Sequence, residues 1–492
     1  MLTASLVDSA PGASLSRTSN ASLRPQLGLE RHDLANLPNI LLIVADDQTA
    51  STFSKRLMPT VFSELVNEGV RFNRAYAETP LCCPSRSEIL TGLYGTHNGV
   101  DSNYRILRRP TIAQALHDLG YRTSMAGKYL NSQSCDPIPE FDQWVCSSRP
   151  PATGYSLVNP ILDVNGELIS FPGGYTASDG KPLYMQRGPL TTEEMNSMDY
   201  WYTKMSRAVR CLDGAVATVL RSLGSREQDT VVLYISDNGY LYGEHRRTHK
   251  IVPYEEAVRV PLLVRYPALV PVGEPFETGA LVENVDIAAT IAELAGIPWG
   301  ADGKSLLPLL TKQKTSIRSQ LLLEYCQAGG DPCPDEDVQR PVTPYLGVET
   351  PGWVYLEYAT GEKELYDLSQ DPNELSNHAD DPLYASTQSS LAARLAWLKQ
   401  APKVDTTIVT GPSDQVAQGS AITFTFFSQS RFATYECRLD TNGVMGTWGP
   451  CGNQTTTYTG LAMASYVFNV RGTDEFGTKD GTPATRAFTL VP

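Results

Sequence analysis

PNILLIVAD, residues 38–46, is a continuous apolar run that ends in acid. Its length suits a strand, and apolar residues at successive positions imply burial on both faces. DTVVLYISD, residues 229–237, repeats the pattern. Helix-like stretches lie between them at 59–69, 111–119 and 196–223. Alternating strand and helix predicts an α/β domain with a central, mostly parallel sheet flanked by helices. Sites in such sheets form outside the carboxyl ends of strands. The acids that close the two runs are therefore expected on one rim.

Further out, residues 151–195 are rich in Gly, Pro and Tyr and read as a long surface excursion beside the substrate. Strands are expected at 318–325 and 352–358 and a helix at 385–399, together a smaller subdomain over about 315–403. Beyond about residue 403 the pattern changes. AITFTFFSQ, ATYECRLD, ASYVFNVRG and RAFTLV alternate apolar and polar residues at a period of two. This predicts an all-β sandwich over 404–492. The expected organisation is an N-terminal extension (1–37), a catalytic domain (38–403) and the sandwich.

At 492 residues the chain can bury a large core. A 41% hydrophobic and 19% charged composition is that of a globular protein. The net charge of −14 opposes nucleic acid as the main partner, although local basic clusters would still bind a small anion. No apolar run is long enough for a membrane span. Residues 1–37 lack the basic start and apolar stretch of a signal peptide. Six of the nine cysteines form close pairs in sequence, 135 with 146, 326 with 333 and 437 with 451. Such spacing predicts disulfides and an oxidising, extracellular or periplasmic location.

The sharpest motif is Cys82-Cys83-Pro84-Ser85-Arg86, continued by Ser87-Glu88-Ile89-Leu90-Thr91-Gly92. It resembles the Cys-x-Pro-Ser-Arg-x-x-x-Leu-Thr-Gly signature of the formylglycine-dependent sulfatases, in the alkaline phosphatase superfamily. Only Cys82 has Pro at +2 and Arg at +4. The resemblance implies an alkaline phosphatase-like fold and oxidation of Cys82 to formylglycine by a formylglycine-generating enzyme. One hydroxyl of the hydrated aldehyde would attack sulfur and displace the alcohol. Deprotonating the other would expel sulfate, a release that a serine ester lacks. Arg86 would bond the modified side chain. With Cys82 converted, eight cysteines remain, and Cys83 and Cys211 are left over from the three pairs.

Asp46 and Asp47 follow the first apolar run, and Asp237 and Asn238 follow the second. Four oxygen-bearing side chains on one rim suit a hard divalent cation such as Ca²⁺, with Mg²⁺ as the alternative. Both motifs resemble the family's metal-binding segments, where residue 82 would also contact the ion. Gly127-Lys128-Tyr129 resembles the family's Gly-Lys-Trp/Tyr motif. The basic stretch Gly243–Lys250 places Lys250 where the family has a lysine on the sulfate. Lys128 and Lys250 are thus expected to bind sulfate, and Lys250 to stabilise charge on the leaving oxygen.

Two departures stand out. Leu130-Asn131 follows Lys128 where many sulfatases have a His two residues on, as in relatives of glucosamine-6-sulfatase. No histidine occurs between 118 and 244, where the family usually supplies the acid for the leaving alcohol. His245, His249, Lys250 and solvent remain candidates, and His97 reads as structural. The resemblance runs from about Pro38 to about residue 400. The C-terminal segment resembles Ig-like or fibronectin-like appendages. The implied activity is hydrolysis of carbohydrate or aryl sulfate monoesters. A phosphonate monoester or phosphodiester hydrolase on the same scaffold is the alternative, and a non-catalytic binding protein the third reading.

Overall fold

Every residue of two strands, Asn39–Ala45 and Thr230–Ser236, is buried. The continuous apolar runs dictate this, since neither face has a polar side to offer water. The strands pair in parallel with Ala45 opposite Ser236, and the Asp237 N–H donates to the Ala45 carbonyl at 3.0 Å. Asp46 and Asp237 therefore leave the sheet side by side. The computed structural model describes residues 3–8, 37–131, 140–146, 181–182, 185, 191–271, 273–297, 299–326, 342–399, 406–428, 434–452, 455–473 and 479–492. Of 3–8, 145–146 and 427 it describes the backbone alone. The described part of the 151–195 excursion is limited to 181–182, 185 and 191–195.

Two units make up the described chain, one built on 38–295 and 302–399 with the strand at 3–8, the other on 406–492. In the first, the strands in chain order are β1 (Thr3–Asp8), β2 (Asn39–Ala45), β3 (Val70–Tyr76), β4 (Arg122–Gly127), β5 (Gln143–Cys146), β6 (Thr230–Ser236), β7 (Leu241–Tyr242), β8 (Thr248–His249), β9 (Arg259–Arg265) and β10 (Phe276–Glu283). β7 and β8 pair only with each other. The other eight form one sheet in the order β10-β3-β9-β6-β2-β1-β4-β5.

This sheet is mixed, which corrects the mostly parallel expectation. β1 and β9 run opposite to the other six, so the parallel pairs are β10 with β3, β6 with β2, and β4 with β5. Apolar runs report burial, while direction is set by which strands become neighbours. β1 differs from expectation for the same reason. It lies within the segment read as an extension, yet it pairs between β2 and β4 through backbone groups that composition does not reveal.

The long helix Thr192–Leu223 starts at a capping box of Thr191 and Glu194. It buries Val209, Val216, Leu220 and Leu223 against Leu41, Ile43, Val232 and Tyr234 of β2 and β6. The 59–69 stretch forms one helical turn, Pro59–Val61, and then a wider π-type turn over Phe62–Val66. A second, antiparallel sheet runs β11 (Leu321–Tyr325), β12 (Tyr345–Glu349), β13 (Trp353–Tyr358) and β14 (Lys363–Asp367). The helix Ala385–Leu398 covers it with Leu391, Leu395 and Leu398.

The second unit is all β, with a three-stranded and a five-stranded sheet. Phe424 and Phe426 of one sheet share a core with Tyr435, Phe468 and Phe488 of the other, and the Phe424 and Phe468 rings stack at 3.9 Å. A disulfide joins Cys437 to Cys451. Cys326 is also disulfide-bonded. Its expected partner Cys333, Cys135 and the Cys146 side chain lie outside the described residues. No helix among the described residues is long and apolar enough to cross a membrane.

The helix Cys82–Thr91 ends at Gly92, whose φ of 72° is the left-handed cap a Cβ would oppose. Beyond it, His97 Nδ1 lies 2.7 Å from Asp302 Oδ2, which also accepts from the Tyr94 N–H at 2.9 Å. Burial opposes the charged imidazole. The Asp302 hydrogen bond and charge, with Glu324 behind, outweigh it and raise His97 above the ordinary range. A raised folded value means the pair stabilises fully below about pH 6.5, and the contribution fades as pH rises through the folded value. Unfolding free energies of wild type and His97→Gln, compared from pH 5.5 to 8.5, should converge towards the alkaline end. A difference independent of pH would show that the pair is not charged.

Candidate active site

Four chain segments converge on Cys82. β2 delivers Asp46 and Asp47, and β6 delivers Asp237 and Asn238. β4 ends at Gly127, in a positive-φ conformation (118°), and turns Lys128 inward. The β7–β8 ladder carries Lys250 just past His249. Cys82 itself opens the Cys82–Thr91 helix, nearly all of which is buried, and Arg86 sits one turn along. Gly239 lets the chain after Asn238 pass close to Glu256, because a Cβ there would stand 2.0 Å from the Glu256 carbonyl oxygen.

The contacts form one charge network. Lys250 Nζ lies 2.7 Å from Cys82 Sγ, 2.5 Å from Asp47 Oδ1 and 3.4 Å from Asn238 Oδ1. Lys128 Nζ donates to Asp46 Oδ1 at 2.7 Å. Arg86 Nε donates to Asp237 Oδ2 at 2.8 Å, and Nη1 to the Lys128 carbonyl at 2.9 Å. Asn238 Nδ2 donates to Asp47 Oδ1 at 2.6 Å. Three carboxylates thus face three cations. Burial works against the charge on Asp46, but Arg86, Lys128 and Lys250 hold its carboxyl well below the usual range. Burial raises Asp237 to about 6, with Arg86 pulling the other way. Burial also pushes the Cys82 thiol up to about 12, although Lys250 opposes the shift. As a plain thiol it would stay protonated, and so weakly nucleophilic, at neutral pH.

One oxygen each of Asp46 and Asp237 and the Cys82 sulfur lie within 4.8 Å of one another. The oxygen donors suit a hard divalent cation. Sulfur is the soft exception among them, and conversion of Cys82 to an oxygen-bearing side chain would make the donor set uniform. On donor chemistry, the residues present fit Ca²⁺ or Mg²⁺.

Of the expected site residues, the structure gathers Asp46, Asp47, Cys82, Arg86, Lys128, Asp237, Asn238 and Lys250. His245 goes elsewhere. It is buried, stacks on Tyr254 at 4.1 Å and faces Glu256 at 3.3 Å. Its position as a donor to the leaving group is therefore not supported. His249 stays beside Lys250, with its ring 5.6 Å from Tyr240. Cys83 is buried and Cys211 exposed.

Sequence reasoning missed the supports beneath the cluster. Asn103 Oδ1 accepts from the Cys83 N–H at 2.8 Å. Thr79 donates to Glu88 at 2.7 Å, and Asn284 donates to both Ser85 and Glu88 at 2.8 Å. Burial, then Glu283 and Glu88, push the Glu78 carboxyl well above its usual range, so it is held protonated. Only the apolar setting of these polar residues in the sequence hinted at them.

A family model described as "Sulfatase" matches residues 38–157 and 173–297. A second, "N-sulphoglucosamine sulphohydrolase, C-terminal", matches 243–401. The chain belongs to the sulfatase family. Similar proteins include the extracellular sulfatase SULF-1 homolog of Drosophila melanogaster, 28% identical over 57% of this chain and 32% of that protein. The chain thus spans about a third of that relative's length. The human N-acetylglucosamine-6-sulfatase is 26% identical over 70% of this chain and 81% of its own. Two solved structures share the fold. One, solved with its substrate D-glucosamine-2-N,6-O-disulfate, has a TM-score of 0.59 and 20% identity over 73% of this chain and 97% of its own. The other, a phosphonate monoester hydrolase of Agrobacterium radiobacter, has a TM-score of 0.59 and 19% identity over 74% and 95%.

The Arg86–Asp237 pair is fully buried on the acid side and 4% exposed on the guanidinium. Arg86→Leu should lose about 3–5 kcal/mol of stability by leaving a buried carboxylate unpaired. Adding Asp237→Asn should recover part of that loss in guanidinium unfolding. Equal stability of Arg86→Leu and wild type would show that Asp237 draws its compensation from elsewhere.

Proposed function

We propose that this chain hydrolyses sulfate monoesters of carbohydrates or aryl alcohols, with residue 82 as the nucleophile after conversion to formylglycine. The observation that carries the reading is the placement of Cys82, in its signature helix, 2.7 Å from Lys250 and 3.7 Å from Asp46. The hydrated aldehyde supplies two hydroxyls on one carbon, one to attack sulfur and one whose deprotonation releases sulfate. Asp46, Asp47, Asp237 and Asn238 would hold Ca²⁺ or Mg²⁺, with residue 82 at its edge, and the ion would polarise the sulfate oxygens.

The chain's own groups do the rest. With a cation balancing the carboxylates, Lys128 and Lys250 become available to the sulfate, whose charge they neutralise. Arg86 stays on Asp237 and fixes the turn that aims residue 82. Burial removes competing water and strengthens each of these interactions. Two donors stand beside the leaving oxygen in this reading, Lys250 and His249, and the first already reaches residue 82. Water replaces the alcohol, so the products are the alcohol, sulfate and one proton.

The phosphonate monoester or phosphodiester alternative shares only the fold with the Agrobacterium enzyme, and no contact here favours it. Rates on an aryl sulfate and an aryl phosphonate ester separate the two. Disulfide bonding supports an extracellular or periplasmic location. Maturation would require a formylglycine-generating enzyme as partner.

Cys82→Ala should fold normally and lose turnover by about 10⁴-fold or more, as removal of other covalent nucleophiles does. The intact mass of the peptide holding residue 82 should show an aldehyde or its hydrate. Chelation should abolish the rate, and added Ca²⁺ should restore it. Full activity with an unmodified thiol would refute the mechanism.

We further propose that 404–492 is an appended Ig-like or fibronectin-like sandwich that takes no part in the chemistry, since each unit has its own core. A chain ending at residue 403 should hydrolyse a small aryl sulfate at the full-length rate. Loss of that activity in a folded truncate would place the sandwich at the site.

A further inference from the structure

A row of aromatic rings runs away from Lys250. His249 precedes that lysine, and its ring lies 5.6 Å from Tyr240. Tyr240 lies 4.9 Å from Tyr242, and Tyr242 lies 5.3 Å from Tyr202 on the Thr192–Leu223 helix. All four are partly exposed. The helix then presents Tyr200 and Trp201, 55% and 59% exposed with their rings 5.6 Å apart. Single exposed aromatics need no explanation, but a continuous series ending beside a candidate catalytic lysine does.

Core packing does not account for the series. Leu220, Val216 and Val209 bury the helix's inner face, while Tyr200 and Trp201 are exposed. One cation stands at the outer rings, with Lys204 Nζ 5.1 Å from the centre of Tyr200. Flat apolar faces with phenolic edges match a pyranose ring, which offers C–H faces and hydroxyl rims. Lys250 at one end and Lys204 at the other match sulfate groups on such a sugar.

We propose that Tyr202, Tyr242, Tyr240 and His249 form a subsite for a sulfated oligosaccharide, with Tyr200 and Trp201 at its outer end. The row spans three ring-to-ring steps of 4.9–5.6 Å, longer than one sugar ring requires. The scissile sulfate would sit at Lys250, and the next sugars of the same chain would lie along the tyrosines. This rests on the sulfatase reading and narrows it to glycan chains over small aryl esters.

The test compares three substrates, namely 4-nitrocatechol sulfate, 6-O-sulfo-N-acetylglucosamine, and a sulfated tetrasaccharide ending in that sugar. Variants are Tyr202→Ala, Tyr240→Ala and Trp201→Ala, with Tyr202→Phe and Tyr240→Phe as conservative controls. Each alanine at a tyrosine should lower kcat/KM on the tetrasaccharide about 5- to 10-fold, mainly through KM. Aryl sulfate turnover should stay within about twofold, and phenylalanine should rescue most of the loss because stacking survives. Equal effects on all three substrates, or none on the tetrasaccharide, overturn the subsite. A separate measurement isolates it from the chemistry. Tetrasaccharide binding to Cys82→Ala protein should weaken when Tyr240→Ala is added. If wild type turns over no sulfate ester yet this binding difference persists, the hydrolase reading fails and the subsite stands. If turnover is normal and binding is unchanged, the subsite alone fails.

Discussion

Asp237 has no exposure, and a guanidinium 2.8 Å away pairs one of its oxygens while the Asp47 and Asn238 N–H groups donate to the other at 3.1 and 3.0 Å. That pairing organises the centre of the molecule. It ties the end of β6 to the first turn of the Cys82–Thr91 helix, and the Arg86 fork continues to the Lys128 carbonyl at the end of β4. An unpaired carboxylate in this setting would be costly, so strand end, helix and loop are fixed together. Lys250 and Asp47 close the other side at 2.5 Å. The cluster is balanced, three acids against three bases, which is why so much charge persists beneath the surface.

Balance also makes the site adaptable. Each lysine holds one carboxylate, Lys128 that of Asp46 and Lys250 that of Asp47. Residue 82 sits where the two lysines and Asp46 meet, and burial keeps its thiol protonated. The surroundings therefore disfavour thiolate chemistry at this position. Beneath it, Thr79, Glu88 and Asn284 hold the helix from below, leaving the residue 82 side chain facing the cluster.

The reach of sequence varied with the kind of information each residue carries. PNILLIVAD and DTVVLYISD announced two buried strands and a shared acidic rim, because burial on both faces leaves a continuous apolar run. The direction of β9 and the insertion of β1 left no such mark, since backbone pairing is blind to side-chain type. Cys82, Arg86, Lys128 and Lys250 were legible through short motifs of fixed spacing. Sequence left His245 as one of several candidate acids. Its neighbourhood in sequence is Lys250's, yet its ring turns to Tyr254 and Glu256.

By itself, the sequence determined the two central buried strands, the acidic residues that follow them and the signature around Cys82, all of which depend on local order and periodicity. Tertiary structure alone decided which lysine meets which carboxylate, that His245 turns to Tyr254 and Glu256, and that tyrosines 202, 240 and 242 form one row. Those outcomes depend on distances between segments up to two hundred residues apart, and only packing of the core sets such distances.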